Sequence, residues 1–258
     1  WSDCQTDRER SEISVGPNLS TSGNYWIGYY IFLPEDFVSS SKVKTTLGQI
    51  HMRGGFSGTA GGYKSFPPLI QLSAYADNYV AYYHRLSGPA NRIVDKSDYR
   101  GLLKLSDMRG QWTHIMMNLQ SKGRDSILEI FVNGLLTERF EQSLPSVPSS
   151  YYLKYGIYRS FVSLHGSPMP TQVAFFKDVS IGSSRADIDP FFDPNGDSLL
   201  AENIKREQLI KQEKEIASIE ALKAFGLKAF AVKTLEEKQA EACSDPTFVM
   251  LTGVSCEK

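Results

Sequence analysis

QWTHIMMNLQSKGRDSILEIFVNGLL, residues 111–136, holds two runs of β-branched, aromatic and long apolar residues separated by Ser121-Lys122-Gly123. Such side chains suit a pleated, half-buried surface, and a glycine between two of these runs gives the backbone freedom that a tight turn needs. The second run meets Asn133-Gly134, the dipeptide that most readily takes positive φ at both central positions of a hairpin. The stretch therefore reads as two adjacent strands of one sheet, the second ending in a tight turn.

The same texture extends in both directions. NYWIGYYIFL (24–33), PPLIQLSAYA (67–76), YVAYYHRLS (79–87), YYLKYGIYR (151–159) and TQVAFFKDVSIG (171–182) are short β-rich runs bounded by Gly, Pro, Ser and Asn clusters. With no helical period between them, residues 1–192 are expected to form an all-β domain, a β-jelly-roll sandwich of two antiparallel sheets. After residue 196 the chain turns rich in Ala, Leu, Glu, Lys and Gln at helical spacing. Residues 193–258 are therefore expected to be a helical C-terminal extension, with Asp197 or Ser198 as N-cap and Gly226 dividing two helices. Such an appendage packs on the sheet or on a second subunit, so these helices are the candidate contact for a homo-oligomer.

Net charge is −1, with 28 basic and 29 acidic residues, which gives no general reason to expect nucleic acid as a partner. No run of about 18 apolar residues is present, so no membrane span is expected. Cys4, Cys243 and Cys256 lie at the chain extremes. Cys243 could pair with Cys256, or either with Cys4; an odd count leaves one thiol over, and no CxxC spacing suggests a metal site. The start at Trp1 without a methionine fits a trimmed export signal or a trimmed chain equally, and the expectation adopted is a secreted or periplasmic protein.

Polar residues interrupt the β pattern in three places. In Gln49-Ile50-His51 the glutamine and histidine share one strand face, and in Arg10-Ser11-Glu12 the arginine and glutamate do the same. In Tyr151–Ser160, Tyr152, Lys154, Gly156 and Tyr158 fall on one side, while Tyr151, Leu153, Tyr155 and Ile157 fall on a side suited to a core. Gly156 is expected to remove bulk from the polar row so that a substrate can approach the backbone. A lone histidine in a strand is more often scaffold than catalyst, and only the assembly of all three segments on one face argues otherwise.

Together, in this order, the three segments resemble the β-jelly-roll polysaccharide lyases, the alginate lyase, glucuronan lyase and heparin lyase I-like group. Those proteins carry R-x-E, Q-[IF]-H and Y-F-K-x-G-x-Y strands along one cleft of a concanavalin A-like sandwich. The likeness spans about residues 8–185; Arg159-Ser160 departs from the usual continuation, and Ser11 stands where many have Thr. It implies catalytic roles for His51 and Tyr158, with Tyr158 the proton donor and, for protons on one side of the sugar, base as well. Arg10, Gln49, Lys154, Tyr152, Glu12 and Arg53 become candidate substrate-binding residues. An acidic, uronate-containing polysaccharide is the implied partner.

The residue types suit that chemistry independently. Abstracting a C5 proton beside a carboxylate requires the carboxylate to be neutralised or hydrogen-bonded, a task for the Gln49 amide and the Arg10 fork. A base near C5 and an acid near the C4 oxygen complete β-elimination. A tyrosine serves as base only if its pKa is lowered, for which Lys154, Arg10 and Arg159 are the neighbouring cations. Arg53, before a Gly-Gly turn, either lines the cleft or is merely solvated. His84 and Arg85 lie on opposite faces, so at most one reaches the cleft; His114 and His165 read as structural. Tyr75, Tyr79, Tyr82 and Tyr83 suit sugar stacking and ordinary sheet surface equally. No cofactor is required and no metal ligand is assigned; calcium stays open but is not expected, since no acidic loop of EF-hand spacing is present and a site would have to come from scattered oxygens. The competing class is a non-catalytic carbohydrate-binding jelly roll, which needs no acid and base. A glycoside hydrolase would need paired carboxylates, and no E-x-[DE]-x-x-E run occurs in the strands.

Overall fold

A computed structural model describes residues 3, 5–54, 66–89, 94–189 and 191–192. The strands are β1 (Arg8–Leu19), β2 (Ser22–Phe32), β3 (Thr45–Arg53), β4 (Pro68–Tyr75), β5 (Asn78–Ser87), β6 (Val94–Lys104), β7 (Trp112–Lys122), β8 (Asp125–Val132), β9 (Leu135–Ser143), β10 (Ser150–Ser160) and β11 (Phe175–Gly182). They form two antiparallel sheets, β1-β10-β3-β4-β5-β6 and β11-β2-β7-β8-β9. The all-β jelly-roll expectation holds. The expected helical extension, its capping residues, Cys243 and Cys256 all lie outside the described residues, as does Cys4. The chain divides into two units, Trp1–Pro190 and Phe191–Lys258.

Residues 112–136 form β7, β8 and the start of β9. Lys122 pairs with Asp125 across a two-residue turn whose first central residue, Gly123, has φ +65°, the position where a type II′ hairpin wants glycine. Val132 pairs with Leu135 across Asn133 and Gly134, both at positive φ as a type I′ turn requires.

Inward-facing side chains of both sheets make one core, including Ile27, Tyr29 and Ile31 of β2, Ile50 and Met52 of β3, and Leu128 and Ile130 of β8. Rings join the layers: Tyr83 of β5 stacks on Phe140 of β9 at 4.5 Å, and Tyr155 of β10 meets Phe176 of β11 at 5.2 Å. Burying one such side chain stabilises the fold by roughly 1.5–3 kcal/mol.

Two irregularities shape the polar face of the larger sheet. On β10, Tyr155 faces Gly48 and Tyr158 faces Thr46, so Gly156 and Ile157 together oppose the single residue Leu47. On β3, Leu47 is fully buried in the core and a Cβ on Gly48 would meet the Tyr29 ring, so both turn inward. Thr46 and Gln49 are thereby left on the opposite face, where Thr46 accepts a 3.3 Å hydrogen bond from Gln71 Nε2.

Gly156 departs from the sequence expectation. Its φ is +129°, and a Cβ there would strike the Ser11 carbonyl oxygen and lie 2.8 Å from Glu12 Cα. The space left by the missing side chain admits the backbone of β1, not a substrate.

Candidate active site

A cleft of about 670 Å³ opens on the larger sheet and draws on all six of its strands. Arg8, Arg10 and Glu12 come from β1; Tyr152, Lys154 and Tyr158 from β10; Gln49 and His51 from β3. Gln71 comes from β4, Tyr82 and His84 from β5, and Asp95 and Ser97 from β6. Antiparallel register sets the order of the main groups: Arg10 opposite Tyr158, Lys154 opposite Gln49, and Tyr152 opposite His51. Seven of the eight predicted site residues thus line one cavity.

Glu12 lies beneath this face, its side chain only 4% exposed. Its Oε1 accepts a hydrogen bond from Gln49 Nε2, and its Oε2 lies 3.5 Å from Arg10 Nε and 3.7 Å from Lys154 Nζ. One carboxylate from β1 therefore holds groups from three strands. Glu12 thus lies at the floor of the cleft, little exposed and already engaged with the two cations and the amide beside it.

His51 stands beside Tyr152, ring centroids 5.2 Å apart and planes 28° apart. Its Nδ1 is 2.8 Å from the Met52 carbonyl oxygen, which can only accept, so Nδ1 carries the proton and Nε2 keeps its lone pair. Burial, with smaller contributions from Lys154, His84 and Arg10 opposed by the Met52 hydrogen bond, lowers the His51 pKa to about 4. The neutral base form is thus retained well into the acid range.

Two consequences follow for pH. A pH–rate profile is expected to place the acid limb of any step that needs neutral His51 near pH 4 instead of 6.5. Because the folded pKa lies below the unfolded one, the unfolded chain binds more protons between these values, and His51 lowers stability as pH falls from 6.5 towards 4. An acid limb near 6.5 that persists in His51→Gln would assign that limb to another group.

Tyr158 lies with its ring 4.8 Å from the Arg10 guanidinium carbon. Arg159, the third cation expected near it, is turned elsewhere. It pairs with Glu9 and donates to the Pro170 carbonyl at 2.9 Å. Arg53 does not line the cleft; it is exposed, donates to Asn18 Oδ1 at 2.9 Å and covers the Tyr152 ring at 4.2 Å. Burial raises the Tyr152 pKa, with Arg53 the largest opposing influence, so Tyr152 is a neutral ring supporting His51.

Of the alternating pair His84 and Arg85, His84 enters the cleft, its Nδ1 2.7 Å from Asp95 Oδ2. His114 stacks on Tyr30 at 4.2 Å, and His165 Nδ1 contacts Ser40 Oγ at 3.0 Å; neither lines the cleft. Sequence reasoning missed Lys44, Gln71 and Asp95. Lys44 Nζ donates to Gln71 Oε1 at 2.7 Å and sits 3.2 Å from the Tyr82 ring centroid. Its position just before β3 breaks the strand periodicity that exposed the other residues. Among the described residues, no group of three or more His, Cys, Asp or Glu is placed to hold a metal ion.

The fold is similar to that of an endo-β-1,4-glucuronan lyase from the fungus Trichoderma reesei, with TM-score 0.57 and 17% identity over 73% of this chain and 80% of that one. Alginate lyase A1-II′, a member of polysaccharide lyase family 7, gives TM-score 0.46 and 16% identity over 68% and 71% of the two chains. Alginate lyase vAL-1 from a Chlorella virus gives 0.44 and 14% over 67% and 76%. No curated protein matches the sequence. A family profile described as "Polysaccharide lyase" matches residues 2–180, a span that contains both sheets' core strands and every residue of the cleft, and the chain belongs to the polysaccharide lyase family.

Proposed function

We propose that this lyase cleaves an acidic, uronate-containing glycan by β-elimination, with His51 as base and Tyr158 as acid. The observation that carries the reading is a neutral imidazole with a free Nε2 sharing one cleft with a tyrosine hydroxyl and a group of cations. His51 Nε2 takes the C5 proton, and electrons move to form the C4–C5 double bond as the C4–oxygen bond breaks. Tyr158 donates its proton to the departing oxygen. Gln49 and Arg10, fixed from behind by Glu12, meet the carboxylate on which negative charge develops, and Lys154 adds a third donor.

Charge supports a polyanion as substrate. The cleft sets Arg8, Arg10, Lys44 and Lys154 against two carboxylates, Glu12 and Asp95. Both carboxylates are committed, Glu12 to the Arg10–Gln49–Lys154 set and Asp95 to His84, which disfavours a two-carboxylate hydrolase. A polymeric substrate also favours action outside the cytoplasm, in a secreted or periplasmic protein.

Purified protein incubated with glucuronan, alginate, hyaluronan, heparin-type glycans and bacterial acidic exopolysaccharides should produce the ultraviolet absorbance of an unsaturated uronate on one of them. Reducing-end release without that absorbance would replace elimination by hydrolysis.

A further inference from the structure

The β4–β6 side of the cleft takes no part in the elimination just described, yet it is equipped for a ligand. Lys44 is half-buried, and no carboxylate among the described residues lies within ion-pair distance of it. Its polar partner is the neutral Gln71 Oε1, and its ammonium rests on the Tyr82 face. An ammonium taken from water without an anion is costly, and burial lowers the Lys44 pKa to about 7 against the opposing influence of Asp95. The site is short of a negative charge.

Beside it runs a row of rings. Tyr82 pairs with Tyr99 across β5 and β6, their centroids 4.5 Å apart, and Tyr99 lies 5.7 Å from Tyr75 of β4. Tyr99 is 46% exposed, so an aromatic face remains open on the cleft side of the sheet. Rings of this kind stack on the apolar faces of sugars. β3 and β5 are two strand spacings apart, about 10 Å, so this equipment meets a different sugar from the one above His51.

We propose that Lys44, Tyr82 and Tyr99 form a second subsite, in which Lys44 Nζ binds the carboxylate of another acidic sugar of the same chain and the two rings carry its face. The proposal rests on the acidic-glycan reading of the cleft. It makes the enzyme prefer chains that extend past the cleaved bond on the β5–β6 side.

The test uses full-length protein carrying Tyr158→Phe, so that binding is measured without turnover. Native hexasaccharides of glucuronan and of alginate, and their carboxyl-reduced counterparts, are titrated calorimetrically. Lys44→Met is expected to weaken the native hexasaccharide about tenfold and the carboxyl-reduced one less than twofold. Tyr99→Ala is expected to weaken both alike, and neither change should affect a native disaccharide held over β10 and β3. Equal losses from Lys44→Met on native and reduced chains, the mark of a structural role, would overturn the subsite. So would no loss at all, or wild-type binding that ignores the carboxyl group.

Turnover separates this from the parent reading. Elimination by the wild type with no Lys44 effect removes the subsite and keeps the lyase mechanism. Carboxylate-dependent binding through Lys44 without unsaturated product from any uronan does the reverse.

Discussion

Tyr158→Phe is expected to lower kcat by about 10²–10⁴-fold, the range lost when a positioned general acid is removed, while glycan affinity changes little. The separation of kcat from binding comes from the geometry. Arg10 lies over the Tyr158 ring at 4.8 Å, and phenylalanine keeps that ring face, so the cation stays in place. Only the hydroxyl is lost, and with it the proton that the proposed mechanism delivers to the C4 oxygen. His51→Ala should be as damaging, because no other described imidazole in the cleft has a nitrogen set up as Nε2 is: His84 Nδ1 is held by Asp95 and its Nε2 is buried. Steady-state kinetics on the glycan found in the substrate panel would check both, with calorimetry on the same variants reporting affinity. Full activity in Tyr158→Phe would move the acid to another group. Full activity in His51→Ala would leave Tyr158 serving as both base and acid.

Much of this site was readable from strand alternation alone. Tyr152, Lys154 and Tyr158 share a face because side chains alternate, and Gln49 and His51 do so for the same reason. The hairpins at Gly123 and Asn133-Gly134 were equally legible, because their φ angles demand those residues. Alternation cannot report depth or what lies beneath a face. Glu12 and Arg10 look equivalent in sequence, but pairing of β1 with the bulged part of β10 buries Glu12 and leaves Arg10 at the surface. Gly156 was read as room for a ligand because a glycine does not reveal which chain approaches it; here it is the β1 backbone. Lys44 escaped notice because its partners Gln71 and Tyr82 come from β4 and β5, which adjoin it only once the sheet has formed.

Glu12→Ala provides the other large effect, on stability and catalysis together. Removing a carboxylate that is 4% exposed strips Gln49 Nε2 of its acceptor and leaves Arg10 and Lys154 close together without their shared anion. Loss of one partner of a fully buried ion pair costs about 3–5 kcal/mol. Arg10 is 36% exposed and Lys154 16%, so water screens part of that cost and about 1–3 kcal/mol is the expected loss. The three groups also lose their fixed positions, and displacement of the order of an ångström in a catalytic array lowers kcat/KM by about 10²-fold. Glu12→Gln should fall between wild type and alanine, since its amide oxygen can still accept from Gln49 but no longer balances two cations. Denaturant unfolding and kcat/KM on the same preparations measure both effects. The opposite sign is informative as well: if Glu12 faced the substrate, removing its charge would relieve repulsion of the uronate and tighten binding. Tighter binding with unchanged stability would return Glu12 to the substrate-contacting surface, whereas a coupled loss places it under the cleft as the anion that organises it.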